Sequence, residues 1–188
     1  MSSSTNIQSR MEELEELTID SRDQIGRRTG VPFVVFTYDP DDELSMEDTI
    51  DGYVKKLRAR GQTVELIDIR SMVFSILEEQ RILDRVVEKE KTAPEELGEG
   101  LSTALLGGRT DSLGKIASTI IDQVEDVDTA VMYRTGILYP FAGVSSILMQ
   151  LENEIDTPLV VFYPAIREGK SLRFLDKTEG TYYRARVI

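Results

Sequence analysis

The sequence predicts an α/β fold, with one domain built on a mainly parallel sheet, helices on both faces of that sheet and a C-terminal β-hairpin at its edge. Three observations support this prediction. Four short apolar runs are typical of buried strands, amphipathic helical segments separate them, and the chain ends in residues that alternate in character after a turn-rich stretch.

The length supports one domain over residues 1–188, because a chain of this size can bury a core of its own. Within it we distinguish an N-terminal helical segment (1–30), a helical insertion (70–125) and the C-terminal hairpin (171–188).

The first elements alternate between helix and strand. Ile7, Met11 and Leu14 form one apolar stripe on a short acidic helix. The run VPFVVFTYDP predicts a buried strand that ends in a turn at Asp39-Pro40.

The next helix carries its own boundary signals. Ser45, with Asp48 behind it, is typical of an N-cap, and Gly61 supplies a C-terminal stop. TVELIDI then predicts the second strand, so strand, helix and strand together have the length of a parallel crossover.

The middle of the chain is helical and highly charged. Pro94 and the pair Gly98 and Gly100 interrupt it, which predicts two or three short helices between residues 70 and 106. A more regular helix follows, with Asp111 near its cap. Its expected apolar face consists of Leu113, Ile116, Ile120, Ile121 and Val124.

The last third contains the clearest strands. TAVMY and PLVVFYP predict strands on either side of a helix, and Arg134 to Gly136 form the turn before that helix. The apolar stripe of the helix is Val144, Ile147, Leu148 and Leu151. SLRFL, a turn DKTEG and TYYRARVI predict the hairpin.

Composition excludes several kinds of chemistry. The chain has no cysteine, histidine or tryptophan, which excludes disulfides, Cys/His zinc sites and a Ser-His-Asp triad. A net charge of −12 disfavours broad binding to nucleic acid. No apolar run is long enough to cross a bilayer and no secretory signal begins the chain, so we expect a cytoplasmic protein without membrane contact.

Five segments, in this order, resemble the BrxB family of bacteriophage exclusion (BREX) defence systems: FVVFTYDPDDEL, GILYPF, PLVVFYP, SLRFL and YYRARVI. The resemblance runs from about Pro32 to Ile188. It implies membership of a multi-gene phage-resistance island that also encodes a large ATPase, an adenine-specific DNA methyltransferase and the alkaline-phosphatase-like protein PglZ. It further implies an adaptor, with PglZ as the expected direct partner, and brings no catalytic residues with it.

Three motifs allow a ligand-binding interpretation. The segment from Gly107 to Ile116 is superficially similar to a phosphate-binding loop, but its first glycine and its Ser/Thr are misplaced and no strand precedes it. The second motif is the turn from Arg134 to Gly136, which lies where α/β proteins bind phosphate yet has one glycine.

The third motif is an acidic cluster, formed by Asp39, Asp41, Asp42 and Glu43, that could bind Mg²⁺ or Ca²⁺. We favour a plain turn or helix start for all three motifs. The sequence therefore predicts no catalytic residue, no metal site and no cofactor.

The closing strand offers a candidate partner-binding surface. Strand alternation places Tyr182, Arg184 and Arg186 on one face, and Arg173 lies in the preceding arm of the hairpin. Residues 161–188 are basic within an acidic protein, and Tyr and Arg are enriched at protein interfaces. An edge strand protected by charge is the alternative interpretation.

These observations favour a non-catalytic adaptor of a BREX complex that touches DNA only through other proteins. A nucleotide- or metal-binding α/β domain and a DNA-contacting subunit remain alternatives, and a homo-oligomer stays possible.

Overall fold

The computed structural model describes residues 2–27, 29–107, 113–168, 171–175, 177–179 and 184–188, and it confirms the predicted α/β architecture. The main sheet contains β1 (Phe33–Thr37), β2 (Val64–Asp68), β3 (Thr129–Tyr133), β4 (Leu159–Tyr163) and β8 (Arg186–Val187). A small antiparallel sheet contains β5 (Ile166–Glu168), β6 (Ser171–Phe174) and β7 (Lys177–Glu179). The helices are α1 (Ser2–Glu15), α2 (Glu43–Ala59), α3 (Ile69–Glu79), α4 (Leu83–Thr92), α5 (Leu97–Leu106), α6 (Lys115–Val124) and α7 (Val144–Leu151).

The main sheet is parallel, with the order β2-β3-β4-β1-β8. β1 and β2 follow each other in the chain, yet β3 and β4 lie between them. The chain therefore crosses the sheet from β1 to β2 and then returns strand by strand. This reversal places α1 and α2 in one layer and α3, α5, α6 and α7 in the other.

Each face of the sheet has its own apolar core. Val34 and Phe36 of β1 pack in the layer of α1 and α2, whereas Phe33 and Val35 pack in the opposite layer. This division follows from the alternation of side chains along a strand. Because both faces are covered, all five residues of β1 are buried, which explains why this strand is a continuous apolar run.

The helical predictions are largely confirmed. Residues 70–106 form parts of three short helices, and the four stripe residues of α7 are buried. Met11 and Leu14 of α1 are also buried. Among the described residues, no helix has the length and apolar character needed to cross a membrane.

The predicted start of α2 at Ser45 is wrong. Asp39 caps a short 3-10 turn of residues 40–42, where its Oδ1 accepts a hydrogen bond from the Asp41 N–H at 3.1 Å, and this turn runs directly into α2 at Glu43. Ser45 lies inside the first turn and donates its hydroxyl to the Asp42 carbonyl at 2.8 Å. The capping side chain at this end is therefore that of Asp39, six residues before the predicted position.

The predicted face of α6 is wrong at Leu113, and the proposed cap Asp111 lies outside the described residues. α6 begins at Lys115, and Leu113 is exposed. Gly114 passes so close to the end of α5 that a Cβ on it would clash with the backbone of Leu106. Its N–H donates to the Gln150 side chain at 2.7 Å instead of entering a helix. The helix can start after this contact, not before it.

The C-terminal antiparallel hairpin is present, but its parts differ from the prediction. Residues 177–179, expected in the turn, form β7 and pair with β6. The last residues, expected as the second arm, join the main sheet in parallel with β1, with Val34 opposite Arg186. They cover the open edge of β1, which would otherwise present unpaired backbone groups.

Candidate functional site

A groove of about 500 Å³ opens at the carboxyl end of the sheet, which we call the carboxyl-edge groove. Its walls come from the start of α2, from α3, from the turn after β3 and from the residues that follow β4 and β6. Parallel α/β sheets bind ligands at this end, where successive connections leave toward opposite faces. In this chain the connections change face across the sheet, because α2 follows β1 on one face whereas α3 and α7, which follow β2 and β3, lie on the other.

Arg134 forms the polar centre of the groove. It follows β3 in a left-handed conformation with φ 55°, which directs its side chain between α2 and the end of β2. Its Nη1 donates to Asp68 Oδ2 at 2.6 Å, and its Nε donates to Glu47 Oε1 at 2.9 Å. The guanidinium carbon also lies 5.2 Å from the centroid of the Tyr133 ring. Arg134 thus links elements of both helical layers.

The two carboxylates of this network are held in the ionised form. The hydrogen bond from Arg134 lowers the pKa of Glu47. Burial alone would raise the pKa of Asp68, but hydrogen bonds from Ser71 and the charge of Arg134 outweigh it and lower that pKa. Asp68 also caps α3 by accepting the Ser71 N–H at 3.1 Å. Neither carboxylate is poised to exchange a proton at neutral pH.

Large apolar side chains surround this network. Of the eight large hydrophobic residues that are exposed among the described residues, four line the carboxyl-edge groove. Leu44 is 86% exposed, Leu175 52%, Phe74 41% and Ile137 37%. We call these four the apolar rim. Such a concentration on one surface is typical of a binding site.

Sequence reasoning missed the apolar rim. Its members come from four separate segments, and a single exposed hydrophobic residue is ordinary in any helix or turn. The sequence did contain one indication, because Leu44 does not fit the helical periodicity of the apolar residues in α2. It lies outside the buried stripe of that helix, which consists of Met46, Ile50, Tyr53, Val54 and Leu57.

Arg70 lies beside the rim at the start of α3 and is exposed. Within the described part of the chain, it makes no hydrogen bond and no ion pair, but after the hydrogen bond from Arg134 its charge also helps to lower the pKa of Glu47. The other charged residues of the groove are engaged: Glu43 accepts the Tyr38 hydroxyl at 2.6 Å, and Glu47 is bonded to Arg134.

The candidate ligand motifs have structural roles where they are described. Asp39 caps the turn before α2, and Arg134 is paired internally. Across the described ranges, no group of three Asp or Glu side chains could hold a metal ion. Residues 108–112, the middle of the segment that is superficially similar to a phosphate-binding loop, lie outside the described residues.

Three of the candidate partner-binding residues, Arg173, Arg184 and Arg186, are described, and none of them lines the carboxyl-edge groove. Arg186 forms an ion pair with Glu13 of α1 at 2.8 Å, and Arg184 forms one with Glu152, just after α7. These acidic residues belong to opposite layers, so the two arginines flank the edge of the sheet from both sides. Arg173 donates to the Leu175 carbonyl at 3.2 Å. The fourth candidate, Tyr182, lies outside the described residues.

In a comparison with protein families, the model described as BREX protein BrxB matches residues 65–188. This is more than half of the chain, and it includes β2 except for Val64, the strands β3 to β8, Arg70 and Arg134. No match was found among curated proteins or among solved structures.

Proposed function

The chain belongs to the BrxB family and is therefore a component of a BREX defence system, and we propose that it serves there as a non-catalytic adaptor. The observation that carries this proposal is the composition of the carboxyl-edge groove. The place where α/β enzymes gather reactive groups holds an arginine bonded to two ionised carboxylates, and exposed apolar residues surround it. Such a surface suits contact with another protein.

We propose other BREX proteins as its partners, with a PglZ-like protein in direct contact and DNA reached through the complex. The partner-binding surface would include Arg184 and Arg186, together with Tyr182 and Arg173. The side chains of Arg184 and Arg186 are 48% and 49% exposed, so an acidic group of a partner could approach either guanidinium. Arginine is one of the residues that dominate binding hot spots.

The test is co-purification with each protein encoded in the same BREX locus, using the double variant Arg184→Ala with Arg186→Ala. The melting temperature should barely change, because exposed ion pairs contribute little to stability. Capture of the PglZ-like protein should weaken, by about 2 kcal/mol if either arginine is a central anchor. The loss should be larger at low salt, where charge contributes most.

A matched control is the double variant Arg60→Ala with Arg85→Ala, which removes two other exposed arginines and should leave capture intact. The measurement is repeated with and without DNA. Loss of DNA retention with the protein partner still bound would favour the DNA-contacting alternative. Undiminished capture by the Arg184 and Arg186 variant would remove this surface from the proposed interface.

The non-catalytic part of the proposal has its own test. The purified protein should show no ATPase, nuclease or methyltransferase activity. Metal-dependent turnover that survives rigorous purification and disappears in the double variant Asp41→Ala with Asp42→Ala would contradict it, and would favour the metal-binding alternative instead.

A further inference from the structure

We propose that a second groove, between α1 and α2, binds a segment of a partner protein that carries a large apolar side chain and at least two Lys or Arg residues. We call it the α1-α2 groove. This inference deepens the proposed function and depends on it for the nature of the partner, since an adaptor must bind other proteins. The lining shares no residue with the carboxyl-edge groove or with Arg184 and Arg186. All of it precedes residue 65, so the match to the BrxB family does not include it.

The α1-α2 groove has an apolar floor. Its volume of about 630 Å³ lies within the range of ordinary ligand pockets. Ile7 and Met11 of α1 line it, together with Met46 and Tyr53 of α2. The Tyr53 hydroxyl donates to the Thr18 hydroxyl at 2.9 Å, so it needs no polar partner from outside. An apolar side chain can therefore rest on this floor, and the flexible methionine side chains can adapt to its shape.

Gly52 leaves room for such a side chain. It lines the groove from the interior of α2, where an added Cβ would meet no atom of the described residues within 4 Å. Its φ is not positive, so its backbone conformation does not require glycine either. Glycine is unfavourable inside a helix, and the fold gives no reason for it here. An occupant that comes close to the helix backbone at this point would account for it.

The charges around the floor select a basic occupant. Four carboxylates and one ammonium group give the lining a formal charge of −3: Glu12, Glu15, Asp42, Asp48 and Lys56. Lys56 is already bonded to Glu15 at 2.6 Å. Within the described part of the chain, the side chains of Glu12, Asp42 and Asp48 make no hydrogen bond and no ion pair. Lys or Arg side chains of an occupant would supply the opposite charges.

The same groove disfavours other occupants. An acidic peptide, a nucleic acid or an anionic membrane surface would meet a negative lining whose ammonium group, Lys56, is bonded to Glu15. An uncharged segment would cover Glu12 and Asp48 without offsetting the loss of their hydration. A small polyamine would satisfy the charges but leave the apolar floor in water. A basic segment with an apolar side chain satisfies both.

Overlapping peptides that span the other proteins of the same BREX locus provide the probe, and fluorescence anisotropy with the full chain provides the measurement. We expect the peptides that bind to contain a large apolar residue and at least two basic residues. Gly52→Leu fills the open space above the floor and should weaken their binding by about tenfold or more. Glu12→Gln combined with Asp48→Asn should weaken it by about tenfold at low salt and by less at high salt.

Each variant has a matched control. Gly98→Leu makes the same substitution inside α5, at a position where an added Cβ also meets no atom of the described residues within 4 Å. Glu88→Gln combined with Glu90→Gln removes the same charge from exposed positions on α4. Neither control should change peptide binding. Gly52→Leu should keep the fold, because leucine is a better helix former than glycine, and circular dichroism would verify this.

Several results would overturn the proposal. Equal binding by the wild type and a folded Gly52→Leu variant is one, and binding of acidic peptides is another. An equal loss in the α4 control would assign the attraction to the net charge of the chain rather than to the groove. A dimer of the free chain that Gly52→Leu separates would make the occupant a second copy. If Gly52→Leu alters folding, undiminished binding by the Glu12 and Asp48 variant would by itself contradict the proposal.

Co-purification separates this inference from the adaptor role. If the complex with the PglZ-like protein forms equally well with Gly52→Leu, and no peptide responds to the variants of the groove, the groove proposal fails while the adaptor role stands. If peptides bind as expected but no locus protein co-purifies, the groove proposal stands and the adaptor role fails.

Discussion

Asp128 joins the loops before β2 and β3 through one carboxylate. Its Oδ2 accepts the N–H and the hydroxyl of Thr63, both at 2.8 Å, and its Oδ1 accepts Arg22 Nη1 at 2.9 Å. The backbone hydrogen bond from Thr63 is the largest cause that lowers the pKa of Asp128 to about 2. Loops that align neighbouring strands can thus depend on a single exposed side chain.

This shift predicts a pH dependence of stability. The pKa of Asp128 is lower in the folded state than the value of about 3.9 expected when unfolded, so its contribution is fully present above about pH 4 and is lost as the pH falls toward 2. Asp128→Asn should lower the urea midpoint at neutral pH, and its curve should approach that of the wild type between those values. Asp122→Asn, an exposed change on α6, is the control. A difference that stays constant across this pH range would contradict the role given to the carboxylate.

Arg134 shows what the sequence could and could not predict at the residue scale. Its position between a strand and a helix was evident, and so was its possible role at the end of the sheet. Its partners were not, because Glu47 and Asp68 lie 87 and 66 residues away and meet it only through the order of the strands. Long-range pairing of this kind leaves no local pattern in the chain.

At the scale of elements, α7 allows a direct test of face assignment. Leu148 is 5% exposed in the core, while its neighbour Met149 is 54% exposed. Leu148→Asp would bury a charge without a partner and should cost more than about 3 kcal/mol of the free energy of unfolding. Met149→Asp should change it by less than about 0.5 kcal/mol. Chemical denaturation measures both, and similar losses in the two variants would show that the helix faces are misassigned.

A glycine inside α2 and a glycine just after it should respond in opposite directions to substitution by alanine. Gly61 ends the helix with φ 86°, a conformation that disfavours other residues, so Gly61→Ala should destabilise the protein by about 1 kcal/mol. Gly52 lies inside the helix, where a Cβ would meet no atom within 4 Å. Gly52→Ala should therefore stabilise by about 0.5–1 kcal/mol. Thermal unfolding of the two variants gives the comparison, and a shift of the same sign in both would contradict it.

Elements with a strong period were predictable, whereas their ends were not. The stripe of α7 and the apolar run of β4 follow from local sequence, because each element must bury its own face. The starts of α2 and α6 depend on Asp39 and on the close approach of Gly114 to Leu106. These are tertiary or capping contacts, which override the propensities of the residues nearby.

At the scale of the whole molecule, the separation of β1 from β2 was not predictable from strand spacing. A crossover of that length can join either neighbouring strands or strands that lie further apart in the sheet. This topology also creates the carboxyl-edge groove, because it brings Leu44 of α2 and Phe74 of α3 to one end of the sheet. The apolar rim is therefore a property of the fold rather than of any segment.

The net charge of −12 leads to the last prediction. A chain of this length has a radius of gyration of about 16 Å. The Debye length is about 30 Å at 0.01 M salt and about 3 Å at 1 M, so like charges repel across the whole molecule at low salt and hardly at all at high salt. This repulsion destabilises the compact state. The melting temperature should therefore rise steadily as sodium chloride is added.

A charge-reduced variant tests this cause directly. It converts four exposed carboxylates that have no ion pair among the described residues to amides: Glu12, Asp48, Glu88 and Glu90. At low salt its melting temperature should exceed that of the wild type, because less repulsion remains to be screened. At high salt the two proteins should converge, since apolar burial then dominates both. Parallel salt dependences would instead assign the stabilisation to a general effect of salt on hydrophobic burial, because such an effect acts equally on a core that the four substitutions leave unchanged.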